Sequence, residues 1–227
     1  MSVLATIALD VAAAQTPVHA GSAAETRLGR SGAFIVTLRR LFPPLAYSLE
    51  LKDGAITDDA VSYGSGGTRA SPYRYPRLGI DACLTRHVTI GTDLFGSVTL
   101  ARPNEEPVIT LLGLAPRVGF IVPLGDLVAF WPSIGPEITM RWETVRTGEG
   151  RTSVETLSRR VEIGADVDAQ IVVTPLAHFG ILVGFSFDLP LVGRYREETR
   201  RAVSSTVATG SVGSLRAAFI TGLVARF

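Results

Sequence analysis

Charged side chains recur at alternate positions within apolar stretches along most of this chain. They are Arg77, Asp81, Asp93, Arg117, Glu137, Arg141, Arg160, Glu162, Asp166, Asp168, Arg216 and Arg226. Six are cationic and six anionic, so the chemistry they suit best is mutual pairing. A single ion taken out of water costs several kcal/mol, and a partner of opposite sign offsets much of that. The expectation is an ion network on one face of a sheet, with apolar side chains on the other.

Other candidate chemistries are weaker. A histidine, a serine and an acid near one another would suggest hydrolysis, but His178 and Ser186 are eight residues apart in one extended segment. At about 3.3 Å per residue this separates them by more than about 20 Å, too far for a nucleophile and its base. His87 sits in a turn and His19 near the start of the chain. Asp166 and Asp168 share a face, where a neighbouring arginine suits them better than a metal. Gly64-Ser65-Gly66-Gly67 has no helix pattern after it to complete a phosphate site. Cys83 is the sole cysteine, which excludes an intrachain disulfide or a cysteine metal cluster. No catalytic residue, metal site or cofactor is expected.

The elements that must position these charges read as strands. Ala33–Leu51 contains one strand interrupted at Pro43-Pro44, since proline cannot donate to a ladder. Further period-2 segments run over 73–84, 88–101, 110–122, 128–143, 159–173, 177–189 and 215–227. In 159–173, Val161, Ile163, Ala165, Val167, Ala169, Ile171 and Val173 alternate with Arg160, Glu162, Gly164, Asp166, Asp168 and Gln170. Short links at 85–87, 123–126 and 174–176 alternate with polar stretches at 52–72, 102–107, 144–156 and 190–213, which read as loops. Eight strands with short connections on one end define an all-β, closed, antiparallel up-and-down barrel. Soluble strands average about five or six residues, whereas membrane-crossing strands need about 9–11. These segments meet the longer requirement.

Composition agrees. Hydrophobic residues make up 46% of 227, and mean hydropathy is +0.30, yet no stretch has the roughly 18 consecutive apolar residues of a spanning helix. Formal charge is +1, with Lys52 the only lysine, and no basic stripe suits nucleic acid. Residues 1–20 read as a secretory signal, with an apolar core at 3–9 and a small-residue cleavage site at Val18-His19-Ala20. Residues 21–32 read as a polar entry segment and 33–227 as the barrel domain. Aromatics gather near the strand ends: Tyr73, Trp142 and Phe187 on the loop side, Phe120, Phe130, Phe179 and Phe227 on the turn side.

The final segment, Leu215–Phe227, carries two arginines on one face and two phenylalanines on the other, and ends on Phe227. With the eight alternating strands, it resembles the closing strand of small bacterial outer-membrane barrels of the OmpA/OmpX type. The resemblance implies an outer-membrane location with periplasmic termini and Phe227 as an assembly signal read by the barrel-assembly machinery. It also implies contact with outer-membrane lipid and lipopolysaccharide, and a monomer. The arginine-rich Arg194–Arg201 stretch itself reads as a solvated loop, with contact to anionic lipopolysaccharide as the alternative. Eight strands enclose a space that side chains can fill, so the charges form a plug rather than a pore. The expected role is structural or surface interaction through the outer loops. Two alternatives are a soluble lipocalin-like carrier, which requires the opposite polarity, and a lipid-modifying outer-membrane enzyme, which the His178–Ser186 spacing disfavours.

Overall fold

The computed structural model describes residues 28–41, 45–63, 75–98, 108–147, 154–201 and 204–227. The expected signal at 1–20, most of the entry segment, Pro43-Pro44, Gly64–Gly67, Tyr73 and the 102–107 loop lie outside the described residues.

Alternating side chains favour extended backbone, and eleven strands result: β1 (Phe34–Arg39), β2 (Leu45–Lys52), β3 (Ala55–Tyr63), β4 (Arg77–Cys83), β5 (Val88–Val98), β6 (Val108–Phe120), β7 (Val122–Pro123), β8 (Val128–Thr147), β9 (Val154–Val173), β10 (Phe179–Arg201) and β11 (Ser204–Arg226). All belong to one antiparallel sheet. Hydrogen bonding runs β1-β4-β5-β6-β8-β9-β10-β11 and returns to β1, so eight strands form a ring. The two-residue β7 pairs with β8.

The Ala33–Leu51 segment occupies one strand position, as expected. Arg39 pairs with Gly222 and Leu45 with Phe219, so six residues advance on one side where three advance on the other. The excess is taken up by a bulge containing Arg40, which has a positive φ of 57°. Beyond it β2 stays on β11 but takes β3 as its outer neighbour. The β2–β3 turn has Asp53 at φ 51° and Gly54 at φ 81°. Two successive left-handed residues make the tight turn whose twist matches the flanking strands.

Among the described residues, three expected loops contain strand. Residues 52–72 contain β3, the 144–156 region is shortened because β8 reaches Thr147 and β9 starts at Val154, and 190–213 forms most of a hairpin between β10 and β11. Residues such as Thr199 and Thr206 pair directly across that hairpin. Here neither face needs to be apolar, so the period-2 hydrophobic signal disappears although the backbone pairing continues. The last strand therefore begins at Ser204 rather than Leu215. β8 to β11 are 20–23 residues long, whereas β4 to β6 have 7–13. The long strands, with β2 and β3, rise as a tall sheet on one side of the ring.

The short links at 84–87, 124–127 and 174–178 all lie at one end. There Phe34 and Phe227 exchange backbone hydrogen bonds of 3.0 and 2.9 Å. Leu28 reaches in to join Ile35, Cys83, Ile121, Trp131, Val172, Leu182 and Val224, forming an apolar floor inside the ring.

Candidate functional site

Period-2 geometry sends one set of side chains inward and the other outward along every ring strand. Outside, Phe34, Leu78, Ile90, Leu112, Val118, Phe120, Phe179, Phe185 and Leu223 are exposed. Inside, above the apolar floor, the surface is ionic. The Trp131 indole N–H donates to Thr89 Oγ1 at 3.1 Å, and the guanidinium of Arg39 lies 5.0 Å from its ring centre. On that platform Arg39 Nη1 donates to Asp168 at 2.6 Å, while Arg117 engages Asp81 and Asp93 together. Room for this comes from two glycines. A Cβ on Gly79 would collide with Thr37, Asp93 and Arg117, and one on Gly91 with Asp81.

The next layer centres on Arg77. It donates to Asp166 at 2.6 Å and Glu137 at 2.7 Å, and its guanidinium stacks 4.1 Å from the Phe95 ring centre. The bulge swings Arg40 inward beside it, where Nη2 donates to Ser186 at 2.6 Å and Asp188 at 2.9 Å. Arg216 faces Glu162 at 3.4 Å, Glu137 at 3.7 Å and Asp188 at 3.8 Å. At the upper rim Arg160 pairs with Glu50, and Arg141 with Glu143 at 2.8 Å. Above the rim Tyr195 donates to Asp53 at 2.9 Å, which also accepts the Ser211 N–H at 2.7 Å, and Lys52 lies over the Tyr195 ring.

Of the twelve charges picked from sequence, nine fall in this interior network: Arg77, Asp81, Asp93, Arg117, Glu137, Glu162, Asp166, Asp168 and Arg216. Arg141 and Arg160 lie at its rim, and Arg226 sits half-buried near the floor. Sequence reasoning missed Arg39, Arg40, Asp188, Glu50 and Trp131. Asp188 was readable, since it alternates with Phe187 and Leu189. Arg39 and Arg40 were not, because consecutive residues cannot both face inward without a bulge. Among the described residues the buried network has five guanidinium groups (Arg39, Arg40, Arg77, Arg117, Arg216) and seven carboxyls (Asp81, Asp93, Glu137, Glu162, Asp166, Asp168, Asp188). Hydroxyls help hold the surplus carboxyls: Ser214 donates to Glu162 at 3.2 Å and Ser186 to Asp166 at 3.5 Å.

Two carboxyl triads, Asp93–Asp166–Asp168 and Glu137–Asp166–Asp188, bring oxygens within 4.8 Å of one another. Arg39, Arg40 and Arg77 engage these carboxyls as ion-pair partners. Ser186 lies inside on Arg40, whereas His178 is exposed in a turn with Nδ1 3.1 Å from the Arg226 carbonyl. The two do not meet.

The fold is that of small outer-membrane β-barrel proteins. A major outer-membrane protein of Thermus thermophilus superposes with a TM-score of 0.51 over 86% of this chain and 99% of that one, at 9% identity. OprG from Pseudomonas aeruginosa gives 0.49 at 12% identity, covering 89% and 99%. Neisserial surface protein A gives 0.46 at 12%, covering 87% and 100%. No protein-family model and no curated protein sequence matches the chain.

Proposed function

We propose that the chain is an eight-stranded, closed transmembrane barrel of the bacterial outer membrane, with periplasmic termini and a structural or surface-interaction role exercised by its tall extracellular sheet. One observation carries this reading: the polarity of a soluble protein is inverted. Arg77 is 0% exposed inside the ring, while Phe179 and Phe120 are 58% and 50% exposed outside it. Water would penalise that outer surface, whereas hydrocarbon accepts it. A sheet survives in lipid only if its strands close and leave no unpaired edge at that depth, and the β1–β11 pairing supports such closure.

The ionic plug and the apolar floor favour a sealed interior over a conducting pore. They also disfavour a lipocalin-like carrier, which needs an apolar cavity inside. No enzymatic role is proposed, because the His178–Ser186 pair is not assembled. Residues 1–20 act as a cleaved secretory signal in this reading, and the last strand with Phe227 is the part handed to the barrel-assembly machinery. The barrel is monomeric, with lipid and lipopolysaccharide as its surroundings. The test is fractionation of expressing cells, heat-modifiable gel mobility of the purified protein, and planar-bilayer recording. Outer-membrane recovery, faster migration before boiling and no conductance steps are expected. A soluble protein with unchanged mobility would overturn the proposal.

A further inference from the structure

The outer face of the tall sheet carries a charge arrangement opposite to that of the interior. After the bulge at Leu191, the outward residues of β10 are Val192, Arg194 and Arg196. Arg196 lies directly across from Arg159 on β9, and Arg194 lies across from Val161 and from Ser211 on β11. All three arginines are exposed, and they border a shallow pocket of about 510 Å³ with Val161 and Thr209. Like charges placed opposite one another across strands destabilise a sheet.

The nearby carboxylates are engaged elsewhere. Glu198, which borders the adjoining hollow with Arg159 and Arg196, is paired with Arg200 at 2.7 Å, and Glu155 with Arg146 at 2.9 Å. Among the described residues Arg159, Arg194 and Arg196 have no acidic partner. Arg159 has only the ring of Trp142, 6.0 Å from its guanidinium carbon. Among the described residues these three guanidiniums are thus left open to an external anion.

Position narrows its source. Directly below the arginines on the same outer surface are Ile163, Leu189, Leu191 and Val192, all exposed. A molecule that meets both surfaces carries hydrocarbon below and negative charge above. Guanidinium forks match phosphate oxygens two at a time. We infer that Arg159, Arg194 and Arg196 form a binding site for the phosphate-bearing headgroup of an anionic membrane lipid, whose acyl chains run down the apolar wall. This rests on the transmembrane reading above and adds a defined lipid site to it.

The two tryptophans give a direct assay. Trp131 is sealed inside, whereas Trp142 stands beside Arg159 on the outer face. The full chain is placed in phosphatidylcholine nanodiscs containing either brominated phosphatidylglycerol or brominated phosphatidylcholine, and quenching of Trp142 is titrated. The anionic lipid should be preferred at least about five-fold, the effect of one basic residue near a charged surface. The Arg159→Gln/Arg194→Gln/Arg196→Gln variant should show no preference while keeping its heat-modifiable mobility. If that variant loses its folded mobility, Arg196→Gln alone is read the same way and should reduce the preference at least two-fold.

Equal quenching by both lipids in the parent protein, or an unchanged preference in the variant, overturns the site. A Trp142 response to inorganic phosphate in pure phosphatidylcholine discs that abolishes the lipid preference reassigns it to free anions and also overturns it. Failure of the parent to enter nanodiscs overturns the barrel reading itself, whereas entry without lipid preference overturns only the headgroup site.

Discussion

Replacing Arg77 by methionine should be among the most damaging single changes in the chain. Methionine keeps an unbranched apolar stem over Phe95 but removes the guanidinium that binds Asp166 at 2.6 Å and Glu137 at 2.7 Å and lies 3.5 Å from Asp188. Arg40 and Arg216 remain near Asp188 and Glu137, at 2.9 and 3.7 Å, so part of the negative charge stays compensated. Deleting one partner of a buried ion pair costs about 3–5 kcal/mol, because the other is left charged and dry. The expected loss lies in that range. Arg77→Met/Asp166→Asn removes one stranded carboxylate along with the cation and should recover about 1–2 kcal/mol. The assay is urea unfolding in phospholipid vesicles, followed by tryptophan fluorescence and by the fraction that keeps folded gel mobility. Arg146→Gln is the control. Its side chain is 79% exposed in its pair with Glu155, and it should shift stability by less than about 0.5 kcal/mol. An Arg77→Met protein within about 1 kcal/mol of the parent, or a double variant less stable than the single, would refute the view that the interior is held by reciprocal charge.

Trp131→Ala removes the ring beneath Arg39 and the donor to Thr89, and should cost about 3–5 kcal/mol in the same unfolding assay. Gly79→Val places carbon where Thr37, Asp93 and Arg117 meet; recovery of heat-modifiable protein should fall sharply, while Gly125→Ala, which has open space around it, should assemble normally. The docking of the β2–β3 turn should depend on pH. The Ser211 N–H first, and then the Tyr195 hydroxyl, hold the Asp53 carboxyl below its ordinary 3.8, so its contribution is present above that pH and is lost as acid reaches the lowered folded value. Tyr195, hydrogen-bonded to Asp53, is raised above 10.0, so its contribution is complete below pH 10.0 and disappears as alkali passes the raised folded value. Protection of the Ser211 amide, its exchange measured against the intrinsic rate at each pH, should be highest between these limits and fall outside them. Asp53→Asn, which tolerates the positive φ, should remove the acid limb of that profile.

Within the ring much of this was legible. Val161 to Val173 alternates without a break, and that register places Glu162, Asp166 and Asp168 inside. Arg39-Arg40 before two prolines does not announce which residue turns inward, because a bulge is decided by the pairing of β1 and β2 with β11. Lys52-Asp53-Gly54 carried the dipeptide of a tight hairpin but was absorbed into a polar stretch. The upper halves of β8 to β11 were hidden for a different reason. Polar side chains occupy both their faces, so the alternation reports no inside or outside, and backbone pairing leaves no mark on composition. Trp131 was passed over because the neighbouring Phe130 already occupied the expected outward position.

The disparity in strand length gives the mouth of the ring a front and a back. Among the described residues β9, β10 and β11 stand high on one flank, whereas β4 and β5 stop low on the other. The long strands thus form a high wall on that flank. In the proposed transmembrane reading the wall's upper hydrogen bonds are made in water, so it can loosen or change sequence without exposing an unpaired amide to lipid. On that reading the upper sheet is freed from the constraint that fixes the membrane-crossing part of each strand.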